Sequence, residues 1–305
     1  MEIHRFIVAV QALLLYSEPT MTQLVGLLGY PLSHSISPVF QQAAFDHCGL
    51  PVRYDLWPTP LEELEAKVSK LRGPDYLGAN VTVPHKERIP ALIDDIDPLA
   101  RAVGAVNTIV RNGRRLVGYN TDVFGFIKSL EEAGCFDPKG RRALLLGAGG
   151  AARAAAFALV TAGVASLTIA NRTIERAESL ARDVGGVAKG VTVVHATGVP
   201  LSEAVGDVEL IVNSTSVGMS HGGADDRTLL DAGLVPSGAL VYDMVYNPSE
   251  TPLMREAGKA GARTLGGLMM LIYQGAAAFE LWTGRDAPVE IMVRAGRQAL
   301  ARLPG

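Results

Sequence analysis

The sequence has little cysteine, few aromatic side chains and no excess of charge of either sign. Its 305 residues include two cysteines, Cys48 and Cys135, which are too few for a disulfide framework and favour a reducing, cytoplasmic compartment. The 28 basic and 31 acidic side chains nearly balance, so no nucleic-acid partner is expected, because phosphate binding needs a basic excess. The apolar run at residues 6–16 is far shorter than the roughly 20 residues of a membrane-spanning helix, so no membrane partner is expected either.

Residues 1–20 indicate little about function, and we treat them as an extension of unknown role. The run at residues 6–16 follows Arg5 and has the length of a signal-peptide core, but no small-residue cleavage site comes after it. We therefore expect the first domain to open at Met21.

The composition favours an α/β protein large enough for two domains. Apolar residues make up 48% of the chain and there are 33 glycines, which suit sizeable cores and tight turns between strands and helices. After residue 21, short apolar runs alternate with helical stretches, which predicts a mainly parallel sheet with helices on its faces. The predicted strands lie at 24–28, 52–56 and 77–83, and the predicted helices at 37–49, 61–71 and 84–93. Asn112-Gly113, between two further apolar runs, predicts a hairpin, so this sheet should also have an antiparallel part.

A second alternating unit carries a glycine loop. The apolar strand 142–146 runs directly into GAGGAA at residues 147–152, and an alanine-rich helix follows to residue 162. Glycines in this Gly-x-Gly-x-x-Ala pattern let the backbone approach a pyrophosphate, toward which the first N–H groups of the helix point. The order of strand, loop and helix predicts a Rossmann domain that binds a dinucleotide.

The residues after the next strand indicate which dinucleotide binds. An NAD site would place Asp or Glu there, to accept a hydrogen bond from the ribose 2′-hydroxyl. Here Asn171, Arg172 and Thr173 follow the strand, and Arg176 lies one turn further along. A carboxylate would repel a 2′-phosphate, whereas guanidinium groups offer a planar fork to its oxygens. The sequence therefore favours NADP; the alternative is that both arginines are ordinary surface charges.

Polar residues of the first half stand at predicted strand ends, where ligands of open α/β sheets bind. They are Ser35, Ser37, Thr82, Lys86, Asn107 and Asp122. Their hydroxyl and amide groups suit a polyhydroxylated or carboxylated small molecule, and Lys86 and Asp122 are able to move protons. Each also has a structural interpretation as a helix cap, a strand end or a surface lysine. His34 and His85 flank these residues without metal-ligand spacing, so no metal is expected.

Together, these motifs resemble those of shikimate dehydrogenases. In chain order they are GYPLSHSISP at 29–38, GANVTVPHK at 78–86, GAVNT at 104–108, GYNTD at 118–122, the glycine loop, NRT at 171–173, NSTS at 213–216, and Gly266-Gly267 with Gln274. These blocks span nearly all of residues 21–305, and several are long and specific.

The resemblance implies NADPH-dependent, reversible reduction of 3-dehydroshikimate to shikimate, in the route to chorismate and the aromatic amino acids. It implies that Lys86 and Asp122 are the catalytic residues. The implied substrate-binding residues are Ser35, Ser37, Thr82, Lys86, Asn107, Asp122, Tyr246 and Gln274. The implied NADP-binding residues are Gly147, Ala148, Gly149, Gly150, Ala151, Asn171, Arg172, Thr173, Arg176, Thr215, Met244 and Gly267.

The resemblance also implies two α/β domains with the active site in the cleft, in a monomer or a homodimer. Residues 21–122, completed by C-terminal helices at 267–305, would form the substrate domain, and residues 123–266 the Rossmann NADP domain. Three alternatives stay open: a quinate/shikimate dehydrogenase with relaxed substrate and cofactor use, an aminoshikimate-type relative, and a non-catalytic NADP-binding regulator. An acidic residue near Asn171 would have favoured the quinate/shikimate dehydrogenase. Loss of the Lys–Asp pair would have favoured the non-catalytic regulator.

Overall fold

The computed structural model describes residues 22–33, 35–185, 190–220 and 226–303. The extension at 1–20, Met21 and His34 lie outside the described residues. The described residues divide into two compact units. The first unit takes those within Met1–Arg101, Val106–Thr121 and Gly275–Ala299, and the second those within Ala102–Ala105, Asp122–Gln274 and Leu300–Gly305.

The first unit contains a six-stranded mixed sheet. Its strands are β1 (Gln23–Gly29), β2 (Val52–Pro58), β3 (Tyr76–Val81), β4 (Asp95–Ile96), β5 (Thr108–Asn112) and β6 (Arg115–Tyr119). Across the sheet the order is β2-β1-β3-β5-β6-β4; β5 is antiparallel to both of its neighbours and the remaining pairs are parallel. The predicted hairpin joins β5 to β6 through Gly113, whose φ of 61° favours glycine. The prediction of a mixed sheet is therefore confirmed.

The second unit contains a six-stranded parallel sheet. Its strands are β7 (Arg142–Leu146), β8 (Ser166–Asn171), β9 (Val191–His195), β10 (Leu210–Asn213), β11 (Leu240–Asp243) and β12 (Arg263–Gly266). The order is β12-β11-β10-β7-β8-β9, with all neighbouring pairs parallel. Ala143 and Leu145 of β7 are buried in one core, and Leu144 and Leu146 in another, as in strands that lie between two helix layers. The predicted Rossmann arrangement is confirmed.

Helices connect these strands, and each one within the described residues is too short or too polar to cross a bilayer. They are α1 (Ser37–His47), α2 (Leu64–Lys70), α3 (Pro98–Val103), α4 (Asp122–Lys128), α5 (Gly150–Thr161), α6 (Ile174–Gly185), α7 (Val199–Val205), α8 (Pro252–Lys259), α9 (Leu268–Thr283) and α10 (Val289–Leu300). In the first unit, the Trp282 indole N–H on α9 donates to the carbonyl of Ile109 on β5 (3.0 Å). A Cβ on Gly78 of β3 would lie 2.0 Å from that carbonyl oxygen, so glycine is required where the tryptophan binds the sheet.

The prediction of a helix from Pro84 toward residue 93 is wrong. Residues 83–88 form turns and a bend, and a short 3-10 helix at Ile89–Ala91 follows. Distant partners explain the difference, because the His85 ring nitrogen Nε2 bonds to the carbonyl of Thr59 (2.7 Å) and the Lys86 carbonyl accepts from the N–H of Val106 (2.9 Å). Lys86 therefore lies in a turn and not in the first turn of a helix.

Candidate active site

The glycine loop lies where β7 meets α5. Gly147 follows the strand with a φ of 113°, and a Cβ there would lie 2.5 Å from the Ser214 hydroxyl oxygen, so conformation and space both require glycine. Gly149 is the N-cap of α5, and a Cβ built on it meets nothing within 4 Å. The remaining predicted residues of the loop are Ala148, Gly150 and Ala151. The start of α5 is thus open to a ligand, as a pyrophosphate bound by helix N–H groups requires.

The predicted 2′-phosphate residues lie at the same edge of the second sheet. Because β8 pairs with β7 in parallel, Asn171 at the end of β8 lies at the edge where the glycine loop begins. The Asn171 amide donates to the carbonyl of Thr173 (2.7 Å), which shapes the turn that leads into α6. Arg172 and Arg176 are exposed on this turn and on the first part of α6. Two guanidinium groups therefore follow the strand that would carry an acid in an NAD site.

The three residues predicted for the nicotinamide side lie at this edge as well. The Thr215 hydroxyl donates to the side-chain carbonyl of Asn213 (2.7 Å), and a Cβ on Gly147 would lie 3.2 Å from the Thr215 methyl carbon. The Met244 N–H donates to the backbone carbonyl of Asn213 (2.9 Å). A Cβ on Gly267 would lie 2.0 Å from the Met244 carbonyl oxygen, so the two backbones touch. The structure thus brings Thr215, Met244 and Gly267 together beyond β10, β11 and β12.

In the first unit, the two predicted serines and Thr82 follow neighbouring parallel strands. The Ser35 hydroxyl oxygen accepts from the N–H of Ser37 (3.3 Å). Ile36 occupies the N-cap position of α1, so Ser37 is not the helix cap that its sequence context allows. Thr82 follows β3, and its N–H donates to the carbonyl of Leu28 on β1 (2.8 Å). The three residues therefore lie at the carboxyl ends of β1 and β3.

Hydrogen bonds link the segments that carry Lys86, Asn107 and Asp122. The Val106 N–H donates to the Lys86 carbonyl, and the Asn107 amide next to it donates to the Thr121 hydroxyl (2.9 Å). The Asn107 side-chain carbonyl in turn accepts from the N–H of Thr121 (2.7 Å). Asp122 is the next residue, is 3% exposed and begins α4. These bonds between Asn107 and Thr121 therefore hold the segment that contacts Lys86 against the segment that leads into Asp122.

The last two predicted substrate residues belong to the second unit. Gln274 lies on α9 against α4, since a Cβ on Gly125 would lie 2.8 Å from the Gln274 Cβ. Asp122 stands one turn before Gly125 on the same face of α4. Tyr246 is half-buried in the segment that follows β11.

Two buried polar residues beside the predicted nicotinamide residues are not among the predicted site residues, although one of them stands in the NSTS motif. Asn213 and Asp243 end β10 and β11, lie opposite each other and are fully buried. A signal for them exists, since each is a single polar residue at the end of an apolar strand. Burial raises the pKa of the Asp243 carboxyl to about 6, although hydrogen bonds from Thr251, Val245 and Asn213 act in the opposite direction. Within the described residues, no group of three acidic, histidine or cysteine side chains could hold a metal ion.

Known protein families and individual known proteins match this chain over most of its length. Residues 27–109 match the shikimate dehydrogenase substrate binding domain, residues 131–219 the shikimate / quinate 5-dehydrogenase family, and residues 267–295 the shikimate 5′-dehydrogenase C-terminal domain. A protein of Moorella thermoacetica named shikimate dehydrogenase (NADP(+)) is 49% identical over 93% of this chain and 96% of its own length. The chain belongs to the shikimate dehydrogenase family.

Other shikimate dehydrogenases match a comparable share of the chain. The shikimate dehydrogenase (NADP(+)) of Symbiobacterium thermophilum is 47% identical over 92% of this chain and 96% of its own. The solved structure of shikimate 5-dehydrogenase from Thermus thermophilus, in complex with NADP(H) and shikimate, is 40% identical with a TM-score of 0.81. That comparison covers 91% of this chain and 100% of the other. The family and the two-domain α/β fold inferred from the sequence motifs are confirmed.

Proposed function

We propose that this shikimate dehydrogenase catalyses the reversible, NADPH-dependent reduction of 3-dehydroshikimate to shikimate. The observation that carries the proposal is the likeness, over almost the full length of both chains, to relatives named shikimate dehydrogenase (NADP(+)). The site described above supports this function in two ways. The fold carries a glycine loop followed by arginines, and it carries a set of buried polar side chains.

The second unit fits NADP by its own geometry. The open space at Gly149 leaves room for a pyrophosphate beside the start of α5, and Arg172 and Arg176 provide cations for a 2′-phosphate. Thr215 and Met244, with Gly267, would hold the nicotinamide side. When bound, NADPH supplies the hydride that reduces the ketone carbon.

In this proposal, Lys86 acts at the ketone oxygen. Its ammonium group donates the proton that the oxygen needs, or stabilises the negative charge that develops on it. In the reverse direction the neutral amine accepts that proton. Asp122 orients the Lys86 side chain and accepts a hydrogen bond from a ring hydroxyl, a role that suits a carboxylate that is 3% exposed.

The remaining substrate contacts follow from the chemistry of the side chains. We assign Ser35 and Ser37 to the substrate carboxylate, because hydroxyl groups donate to it. We assign Thr82, Asn107 and Gln274 to the ring hydroxyls, with Tyr246 beside them. We assign residues 21–122 with 267–305 to the substrate domain and residues 123–266 to the NADP domain of a cytoplasmic enzyme. The compact units described above differ from these bounds mainly because Asp122 and residues 267–274 cluster with the second unit.

A four-way assay tests the function. NADP⁺ and NAD⁺ reduction is measured with shikimate and, separately, with quinate as the oxidised substrate. We expect efficient turnover for NADP⁺ with shikimate and much weaker turnover for the other combinations. Comparable turnover of quinate with NAD⁺ would indicate a quinate/shikimate dehydrogenase, and no turnover in any combination would refute the proposal.

A further inference from the structure

Asp243 is a buried ionisable residue to which the proposed reaction gives no role. It ends β11, is 0% exposed and receives three hydrogen bonds. The Asn213 amide (2.9 Å) and the Val245 N–H (3.0 Å) donate to one carboxylate oxygen, and the Thr251 hydroxyl (2.6 Å) donates to the other. The Thr251 hydroxyl oxygen accepts in turn from the N–H of Met254 at the start of α8, so its proton is directed at Asp243. The carboxylate thus joins three separate segments of the second unit.

One of these segments leads from Asp243 to Thr215 through a single residue. The Asn213 amide nitrogen is bound to Asp243, which directs the Asn213 side-chain oxygen toward the Thr215 N–H (3.0 Å) and the Thr215 hydroxyl (2.7 Å). The Thr215 hydroxyl oxygen then accepts from the N–H of Val217 (3.2 Å). Without the carboxylate, the Asn213 amide nitrogen keeps only its longer bond to the Val217 carbonyl (3.4 Å), so the side-chain oxygen that shapes the turn at 213–217 is held less firmly.

A second segment leads from Asp243 to Met244 and Gly267. The bond from the Val245 N–H closes a turn around Met244, and the Val245 carbonyl accepts from the N–H of Gly267 (3.1 Å). Met244 is therefore held between the end of β10 and the start of α9. The residues predicted for the nicotinamide side all lie within two hydrogen-bonded steps of one carboxylate.

We propose that Asp243 is a positioning residue that fixes the turns carrying Thr215 and Met244, and so sets the affinity of the enzyme for the nicotinamide half of NADPH. This inference rests on the proposed function, because it takes NADP as the ligand. Asp243 itself does not contact the cofactor in this scheme. The adenosine half, which would bind at Arg172 and the glycine loop, does not depend on it.

The test compares two ligands that differ in the nicotinamide half. Dissociation constants for NADPH and for adenosine 2′,5′-bisphosphate are measured by calorimetry on the full chain and on Asp243→Ala. We expect the variant to bind NADPH at least about 10-fold more weakly and the bisphosphate within about twofold of wild type. In Asp243→Asn, whose side-chain oxygen still accepts from Asn213 and Val245, most of the NADPH affinity should return. A positional role predicts this rescue, whereas a requirement for negative charge would not.

Ser129→Ala is the matched control. The Ser129 hydroxyl shares a buried hydrogen bond (2.5 Å) with the hydroxyl of Tyr242, the residue before Asp243 on β11. This variant therefore damages the core without touching the two turns. Should Asp243→Ala not fold, Asn213→Ala removes the link to Thr215 from the other end and should show the same loss. An unchanged ratio of the two dissociation constants in the folded variants, or an equal change in Ser129→Ala, would overturn the proposal. If wild type binds neither ligand, the NADP assignment fails instead.

Discussion

Ionisation of Asp243 should make part of the stability of the enzyme depend on pH. Burial raises the pKa of this carboxyl from 3.8 to about 6. The unfolded chain releases the proton near its ordinary pKa, whereas the folded protein keeps it until about pH 6, so between these values the folded state binds more protons. The contribution of Asp243 to the free energy of unfolding is therefore fully present below the ordinary pKa and is lost as the pH rises through 6.

The size of the effect follows from the shift. It spans about 2 pH units, and each unit corresponds to about 1.4 kcal/mol, so ionisation should remove about 2–3 kcal/mol between pH 4 and pH 8. Asp243→Asn has nearly the same shape and does not titrate. The free energy of unfolding of wild type minus that of the variant should fall by this amount across the range.

Urea unfolding of both proteins, followed by circular dichroism at several pH values, measures this difference. Asp94 and Glu209, whose pKa values arginine partners hold below the usual range, also make stability pH-dependent. Their effect cancels because both proteins carry them. A difference that stays constant within about 0.5 kcal/mol, or that rises with pH, would refute the reasoning.

Three further substitutions test the site and the fold. Lys86→Met should lower kcat by at least about 10²–10⁴-fold with a smaller change in KM, because general acid catalysis contributes this much to the rate. A nearly normal kcat in steady-state assays would remove Lys86 from the mechanism. Arg172→Ala should raise KM for NADPH far more than for NADH, since only NADPH carries the 2′-phosphate; equal changes would contradict that assignment. Trp282→Phe should lower the free energy of unfolding by about 1–3 kcal/mol, because it leaves the buried Ile109 carbonyl without its donor, and an unchanged urea midpoint would show that this bond is dispensable.

The parts of the fold that local pattern determines could be predicted from the sequence. The strand at Arg142–Leu146 is apolar on both faces, and the glycine loop and alanine-rich helix follow it without interruption. Asn112-Gly113 indicated the hairpin in the same way, because a turn of this type needs residues that tolerate positive φ. Each of these signals lies within a few consecutive residues.

The parts of the fold that depend on residues far apart in the chain could not be predicted from the sequence. Residues 84–93 have a helical pattern, but His85 and Lys86 bond to Thr59 and Val106, which lie far away in the chain. Strands β4, β9 and β12 are short or carry polar residues, and they form because neighbouring strands offer hydrogen-bonding groups. For the site, the sequence motifs indicated that Thr215 and Asp122 are functional residues. The hydrogen bonds of Asn213 and Thr121 that hold these two residues in place could be seen only in the structure.

The bond between Trp282 and Ile109 has a consequence for the order of synthesis. The acceptor leaves the ribosome 173 residues before its donor, which at 5–20 residues per second is a delay of roughly 10–35 s. Throughout that time the first sheet lacks the helical segment Gly275–Ala299, while Asp122–Gln274 forms one continuous stretch that needs little else. The half of the enzyme that is translated first is thus the half that matures last.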